Sequence, residues 1–329
     1  MSKNTIISSF KKIPRTIILL AALFLVTELF LNVIRPQITT VFWNKFVSCE
    51  HTLMDMPRDF DYLLMGNSIQ KTGIDPTQVS DDLLSLGLPG AKPLGYYLLL
   101  NRYLERHNPP KAVFLSLDPE DVRETMIVIL KYFVTWPEYR HLWKDLTWEE
   151  KAHFLLKYWA SLDERMMTIS LRSAYIMPNK MFKAALRRNH GYISLPTDSL
   201  SIDEDYFAHT GNRPEKTISM DDRDRVYLDK FISLARAHNI KIVLMGSVVP
   251  KELYEIQEGT GFNRQWRDFL DLVKARYPDI MMVKDPILVL DNKYFADMSH
   301  VNREGRAIYT DYFKNQVFIP FTGQKGTEQ

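Results

Sequence analysis

Apolar residues fall into short runs closed by turn residues, and these runs alternate with stretches of helical spacing. The run Phe60-Asp61-Tyr62-Leu63-Leu64-Met65 ends at Gly66-Asn67-Ser68, and its length and flanks predict a strand. GYYLLLNRYLERH, from Gly95 to His107, has helical spacing and stops at Asn108-Pro109-Pro110. Further strands are predicted at Ala112–Leu117, closed by Asp118-Pro119, at Lys241–Met245, closed by Gly246-Ser247, and at Ile280–Val283. Amphipathic helices are predicted over about Asp221–His238 and Asn263–Tyr277, and a last one from near Asn302 to about Val317. This alternation predicts an α/β fold of three layers, a parallel sheet with helices on both faces. In such sheets reactive groups gather at the carboxyl ends of the strands, where Ser68 and Asp118 stand.

Between about Asp121 and Met220 the pattern changes. Apolar residues keep helical spacing, no strand stands out, and aromatic stretches such as KYFVTWPEYRHLW and FLLKYWASL recur. Residues 121–220 therefore read as a helical insertion that divides a core made of 59–120 and 221–320, either capping a site or adding a helical layer. Its Lys183, Arg187 and Arg188 suit a solvated basic face or contacts to phosphates or lipid headgroups.

At the N-terminus, TIILLAALFLVTELFLNVI lies between Arg15 and Arg35, 19 residues that match a hydrocarbon core of about 30 Å. Lys3, Lys11, Lys12 and Arg15 precede it, whereas only Arg35 and Lys45 follow closely. That asymmetry predicts a single-pass anchor with the N-terminus in the cytoplasm and the main domain outside. No small-residue cleavage site follows, so residues 1–35 are expected to remain as tail and anchor, with 36–58 as a linker.

Composition narrows the chemistry. The chain is 46% hydrophobic and 25% charged, ordinary for a globular protein with a buried core. A net charge of +2 gives no reason to invoke nucleic acid. The single cysteine, Cys49, excludes an internal disulfide and zinc-type cysteine spacing. His107, His141, His153, His190, His209 and His238 are scattered without ligand spacing, and there is no phosphate-binding loop, so neither metal nor cofactor is expected.

Two segments are candidates for chemistry: Met65-Gly66-Asn67-Ser68-Ile69 after a strand, and Asp297-Met298-Ser299-His300-Val301-Asn302 before the last helix. A serine nucleophile needs a base to take its proton, and the base needs a carboxylate to fix its tautomer. Asp-x-x-His can supply both from one turn. Taken singly, each segment has a plain structural reading: Ser68 as a turn or cap residue, Asp297 as a helix cap beside a surface histidine. Together, in this order, they point to Ser68, His300 and Asp297 as a catalytic triad. Ser247 also ends a strand, but no base follows it closely.

These segments resemble those of the SGNH/GDSL hydrolase superfamily. Gly66-Asn67-Ser68 is similar to the family's Gly-Asp-Ser block, with Asn67 in place of the usual aspartate. Asp297-Met298-Ser299-His300-Val301-Asn302-Arg303-Glu304-Gly305 is similar to its last block. Leu86-Gly87-Leu88-Pro89-Gly90-Ala91 stands where the family has a glycine in the oxyanion hole, which implies that role for Gly90, alongside the N–H of Ser68. In the third block the family has Gly-x-Asn-Asp, whose asparagine is an oxyanion donor. Here Ser116-Leu117-Asp118-Pro119 puts Asp118 in that place, and an ionised carboxylate repels an oxyanion. The resemblance implies a flavodoxin-like α/β/α domain and acyl-ester chemistry through a serine ester.

The anchor, Gly-Asn-Ser, Gly-Leu-Pro-Gly, Leu-Asp-Pro and the terminal Asp-x-x-His together resemble more closely the membrane-anchored SGNH-like proteins that act beside membrane-bound O-acyltransferases in bacterial envelopes, in D-alanylation and alginate O-acetylation. That resemblance implies the bacterial cytoplasmic membrane, an acylated polymer or glycan as substrate and a membrane-bound O-acyltransferase as partner. A stand-alone envelope esterase or lipase, and a non-catalytic partner subunit that keeps the fold, are the alternatives.

Overall fold

Three apolar strands side by side, each followed by a polar turn at the same edge, set the geometry of the site. The computed structural model describes residues 15–34, 38–39, 56–118, 133–155, 177–194, 198–207, 222–284 and 286–323. In chain order the elements begin with helix α1 (Arg15–Ile34), β1 (Ile38–Thr39), β2 (Tyr62–Met65), α2 (Ser68–Gly73), β3 (Leu83–Ser85), α3 (Pro93–Leu104) and β4 (Ala112–Ser116). Next come α4 (Trp136–Leu142), α5 (Trp148–Leu155), β5 (Met177–Pro178), α6 (Asn179–Arg188), α7 (Asp222–Ala237) and β6 (Lys241–Met245). The chain closes with β7 (Val248–Pro250), α8 (Lys251–Thr260), α9 (Phe262–Arg276), β8 (Met281–Met282), β9 (Leu288–Leu290) and α10 (Arg303–Tyr312).

The main sheet has five strands in the order β3-β2-β4-β6-β8, and every pairing in it is parallel. This is the flavodoxin-like order, in which the strand sequence reverses between β2 and β4 and opens a crevice at their carboxyl ends. Tyr62 pairs with Ala112 and Met65 with Leu115, which sets Gly66 beside Ser116.

Because successive residues of a strand face opposite ways, each strand feeds two cores. Leu63, Met65, Val113, Leu115, Ile242 and Leu244 pack with residues of α3, α7 and α9. Tyr62, Leu64, Phe114, Val243 and Met245 pack on the other side with Phe295, Tyr309, Phe313 and Phe318. Burial on both faces explains why these strands read as unbroken apolar runs. The three-layer α/β expectation is met.

Several details differ from the sequence reading. The strand β3 was not expected, so Ala112–Ser116 is the third strand of the sheet in chain order rather than the second. Its three residues carry too little pattern, and pairing with β2 supplies what periodicity does not. The short parallel pair β7-β9 lies beyond the main sheet and was likewise not expected. The last helix begins at Arg303 and continues through a wider π-helical stretch, Phe313–Phe318.

Residues 121–220, read as a helical insertion, show helices α4, α5 and α6 among the described residues, and also the strand β5. That strand pairs antiparallel with β1, Ile38 facing Pro178 and Thr39 facing Met177, so part of the 36–58 segment is held by the insertion. The start of the insertion is fastened to the core by Arg102 of α3. Its guanidinium meets Glu138 of α4 twice, at 2.8 and 2.7 Å, and donates to the Phe133 carbonyl at 2.8 Å. Burial opposes the charge of Glu138, but Arg102 and the Thr135 cap outweigh it and hold its carboxyl below the usual range.

The N-terminal apolar stretch is helical as a backbone over Arg15–Ile34. Its side chains are described for only part of that length, and among the described residues no helix is long and apolar enough to cross a membrane. Most of the tail ahead of it and most of the 36–58 linker lie outside the described residues.

Candidate active site

The serine turn follows from what surrounds the end of β2. A Cβ on Gly66 would lie 2.3 Å from the Gln70 side-chain oxygen and 3.0 Å from Ser116 Cβ, so the buried Gln70 side chain packs close against the bare backbone where the chain leaves the strand. Asn67 then caps α2, its side-chain oxygen accepting the Ile69 N–H at 2.8 Å. Ser68 is the first residue of that helix and is half-buried at the edge of the sheet.

The other half comes from the loop before α10. Phe295 and Val301 form an antiparallel bridge, the Ala296 N–H donates to the His300 carbonyl at 2.8 Å, and the Asn302 N–H donates to the Tyr294 carbonyl at 2.9 Å. Asn302 caps α10 through the Glu304 and Gly305 N–H groups at 3.1 and 3.0 Å, while its amide donates to the Lys293 carbonyl at 2.8 Å. The hairpin-like loop is therefore fixed at both ends and presents Asp297 and His300 from its tip.

The two halves meet. His300 Nε2 is 2.9 Å from Ser68 Oγ, and His300 Nδ1 is 3.0 Å from each oxygen of Asp297. Asp297 also accepts the N–H groups of Ser299 and His300 at 2.9 and 2.8 Å. Burial opposes its charge, but the His300 hydrogen bond and charge and the two N–H groups win and bring its carboxyl down to about 2. An ionised carboxylate takes a hydrogen bond from Nδ1, which leaves Nε2 as the acceptor facing the serine hydroxyl. The Ser299 hydroxyl, not singled out by the sequence reading, is 3.3 Å from both Asp297 Oδ1 and His300 Nδ1. Its only sequence signal is that it lies inside Asp-x-x-His.

Gly90 lies in the loop after β3, exposed, with φ of 65°, a left-handed conformation that favours glycine. The Ala91 N–H closes this turn on the Leu88 carbonyl at 2.8 Å, and the Leu88 N–H reaches the Gly66 carbonyl at 2.8 Å. The Gly90 loop is thus stitched to the serine turn.

Asp118 ends β4 and is buried. Its Oδ2 accepts the Asn67 side-chain amide at 2.8 Å. The place that the resemblance assigns to an asparagine donor therefore holds an acceptor engaged with Asn67. Tyr309 of α10, fully buried on this side of the sheet, is pushed well above its ordinary value by burial and then by the charge of Asp118.

Among the described residues no group of His, Cys, Asp and Glu could hold a metal ion. His107 stacks on Tyr103 and faces Asp59, and His190 meets the ring of Phe60 edge-on, so these two serve packing away from the triad geometry. His209 lies outside the described residues.

No family model matches the chain, and no curated protein matches it. Among solved structures, the chain is similar to a candidate acylhydrolase from Bacteroides fragilis at 12% identity, over 82% of this chain and 92% of that one, with a TM-score of 0.37. It is also similar to a structure described as a candidate platelet activating factor from Streptococcus pneumonia at 13% identity, over 83% and 90% of the two chains, with a TM-score of 0.40.

Proposed function

We propose that this chain is a serine acyl-hydrolase or acyltransferase that works through an acyl-enzyme on Ser68. The carrying observation is the unbroken hydrogen-bond path from Ser68 Oγ through the His300 ring to the Asp297 carboxylate. Three groups from two distant parts of the sequence meet at the switch point of a parallel sheet, in the order that proton transfer needs.

In this reading Ser68 Oγ attacks an ester or thioester carbonyl while His300 Nε2 takes its proton. Asp297 holds the ring and stabilises the imidazolium. The Ser68 and Gly90 N–H groups face the tetrahedral oxyanion, each donor contributing on the order of 3 kcal/mol. His300 then protonates the leaving oxygen or sulfur, and the serine ester forms. A hydroxyl from water or a sugar, deprotonated by His300, attacks that ester and releases the acyl group as acid or new ester. Water as acceptor makes the protein an esterase, and a polymer hydroxyl makes it an O-acyltransferase.

The substrate we propose is an ester-linked acyl group of a bacterial envelope polymer or glycan, with a membrane-bound O-acyltransferase as partner. The chain is placed as a single-pass protein of the cytoplasmic membrane, N-terminus inside. The sequence supports this with a mostly apolar stretch of 19 residues between Arg15 and Arg35 and with cations concentrated ahead of it.

The test is a fluorophosphonate probe and a short-chain acyl ester applied to the full chain and to Ser68→Ala. Labelling and ester release that both vanish in the variant support the reading. A folded protein that neither reacts with the probe nor cleaves the ester leaves a non-catalytic binding role. Alkaline carbonate extraction and outside protease treatment of intact cells test the anchor separately.

A further inference from the structure

We infer that Asp118 is a positioning residue for the serine: it fixes the orientation of the Asn67 amide, and Asn67 in turn fixes the first turn of the helix that carries Ser68. This rests on the proposed serine chemistry and adds a member to it.

The argument begins with what each partner can do. An ionised carboxylate only accepts hydrogen bonds, and a backbone N–H only donates. Asn67 stands between one of each, with its amide 2.8 Å from Asp118 Oδ2 and its oxygen 2.8 Å from the Ile69 N–H. The two ends of an asparagine side chain have nearly the same shape, and only their partners distinguish them. Here both ends are specified, so a flipped amide would set two acceptors together and two donors together. Both side chains are buried, at 5% exposure for Asn67 and 3% for Asp118, so water does not take over either bond. The helix held in this way is short, Ser68–Gly73, and Ser68 is its first residue, so the cap sets where the hydroxyl stands relative to His300.

The pair also explains two departures at once. Relative to the family pattern the sequence resembles, the aspartate before the serine is an asparagine here, and the asparagine after the third strand is an aspartate. The structure joins these two positions directly. They are an exchange of one acid and one amide across a single hydrogen bond, not two independent losses. With the exchange reversed, the carboxylate in the cap position would still accept the Ile69 N–H, and the amide at the end of β4 would donate to that carboxylate.

The experiment compares Asn67→Asp, Asp118→Asn, Asp118→Leu and the double variant N67D/D118N in the full chain, measuring kcat and KM on a short-chain acyl ester and amide exchange at Ile69. Asn67→Asp sets two buried carboxylates against each other, and Asp118→Leu takes the acceptor from the Asn67 amide. Both are expected to lose about 100-fold in kcat with little change in KM, the scale of a nucleophile misplaced by about 1 Å. Asp118→Asn keeps an acceptor oxygen for Asn67 and stays within several-fold of the parent. The double variant recovers most of the loss of Asn67→Asp and restores slow exchange at Ile69. A double variant no better than Asn67→Asp in both readouts overturns the inference. Restored exchange without ester cleavage in any variant, the parent included, sinks the serine chemistry instead and leaves the cap assignment standing.

Discussion

Asp297 holds His300 at two kinds of site at once: the ring through Nδ1, 3.0 Å from each carboxylate oxygen, and the backbone through its N–H at 2.8 Å. The residue that selects the tautomer therefore also sets the position of the loop that carries the base. Asp297→Asn replaces an obligate acceptor by a group that can present an N–H to Nδ1, which turns the acceptor nitrogen away from Ser68. A fall in kcat on the order of 10³–10⁴-fold is expected, with the probe still able to enter the site. Single-turnover acylation kinetics read this directly, and a fall of less than about tenfold would remove Asp297 from the triad.

The same carboxylate sets a pH window. Its folded value of about 2 lies below the ordinary 3.8, so its contribution to stability is present above about 3.8 and is lost as pH falls towards 2. The difference in melting temperature between the parent and Asp297→Asn should shrink as the pH falls from about 4 towards 2. A difference that begins to shrink near neutral pH would contradict a depressed value.

Gly66→Ala tests the packing under the serine. The added methyl meets the end of the Gln70 side chain at the distance of a clash and crowds Ser116, so the buried Gln70 side chain or the turn must shift. Destabilisation of about 1–3 kcal/mol is expected, with a larger fall in kcat than the melting temperature would suggest if the turn that carries Ser68 moves rather than Gln70. Denaturant melts beside kinetics separate the two effects.

Arg102 anchors the insertion. Its side chain is 7% exposed and that of Glu138 19%, so Arg102→Met leaves a largely buried carboxylate without this cation. A loss of about 3–5 kcal/mol is expected. Arg102→Met with Glu138→Gln should recover much of it, because the uncompensated charge is gone. Equal loss in the single and double variants would show that the guanidinium's bond to Phe133 matters more than the ion pair.

The central strands of the sheet were legible in the sequence because they are buried on both sides. The strands β2, β4 and β6 stand out as apolar runs because both faces are covered, and the turns after them stand out by contrast. Ser68, Asp297 and His300 were legible as motif residues at two turns, and the fold brings them within hydrogen-bond range. What could not be read depends on partners distant in the chain. The strand β3 is only Leu83–Ser85 and exists through its pairing with Tyr62–Leu64. The β1-β5 pairing joins segments on either side of the first half of the core. The bond between Asn67 and Asp118 has no local pattern at all, because it joins residues 51 positions apart.

Ser68 and His300, the proposed nucleophile and base, are separated by 232 positions along the chain. A ribosome therefore finishes the serine turn, the rest of the main sheet and the whole insertion before the residue that can activate the hydroxyl exists. Until α10 closes over the sheet, bringing Tyr309 and Phe313 against Phe114, the unfinished polypeptide carries an ordinary alcohol. Under the proposed chemistry, reactivity is withheld until the last helix has been made and folded, and a product truncated ahead of Asp297 would be inert towards esters however much of the sheet it had formed.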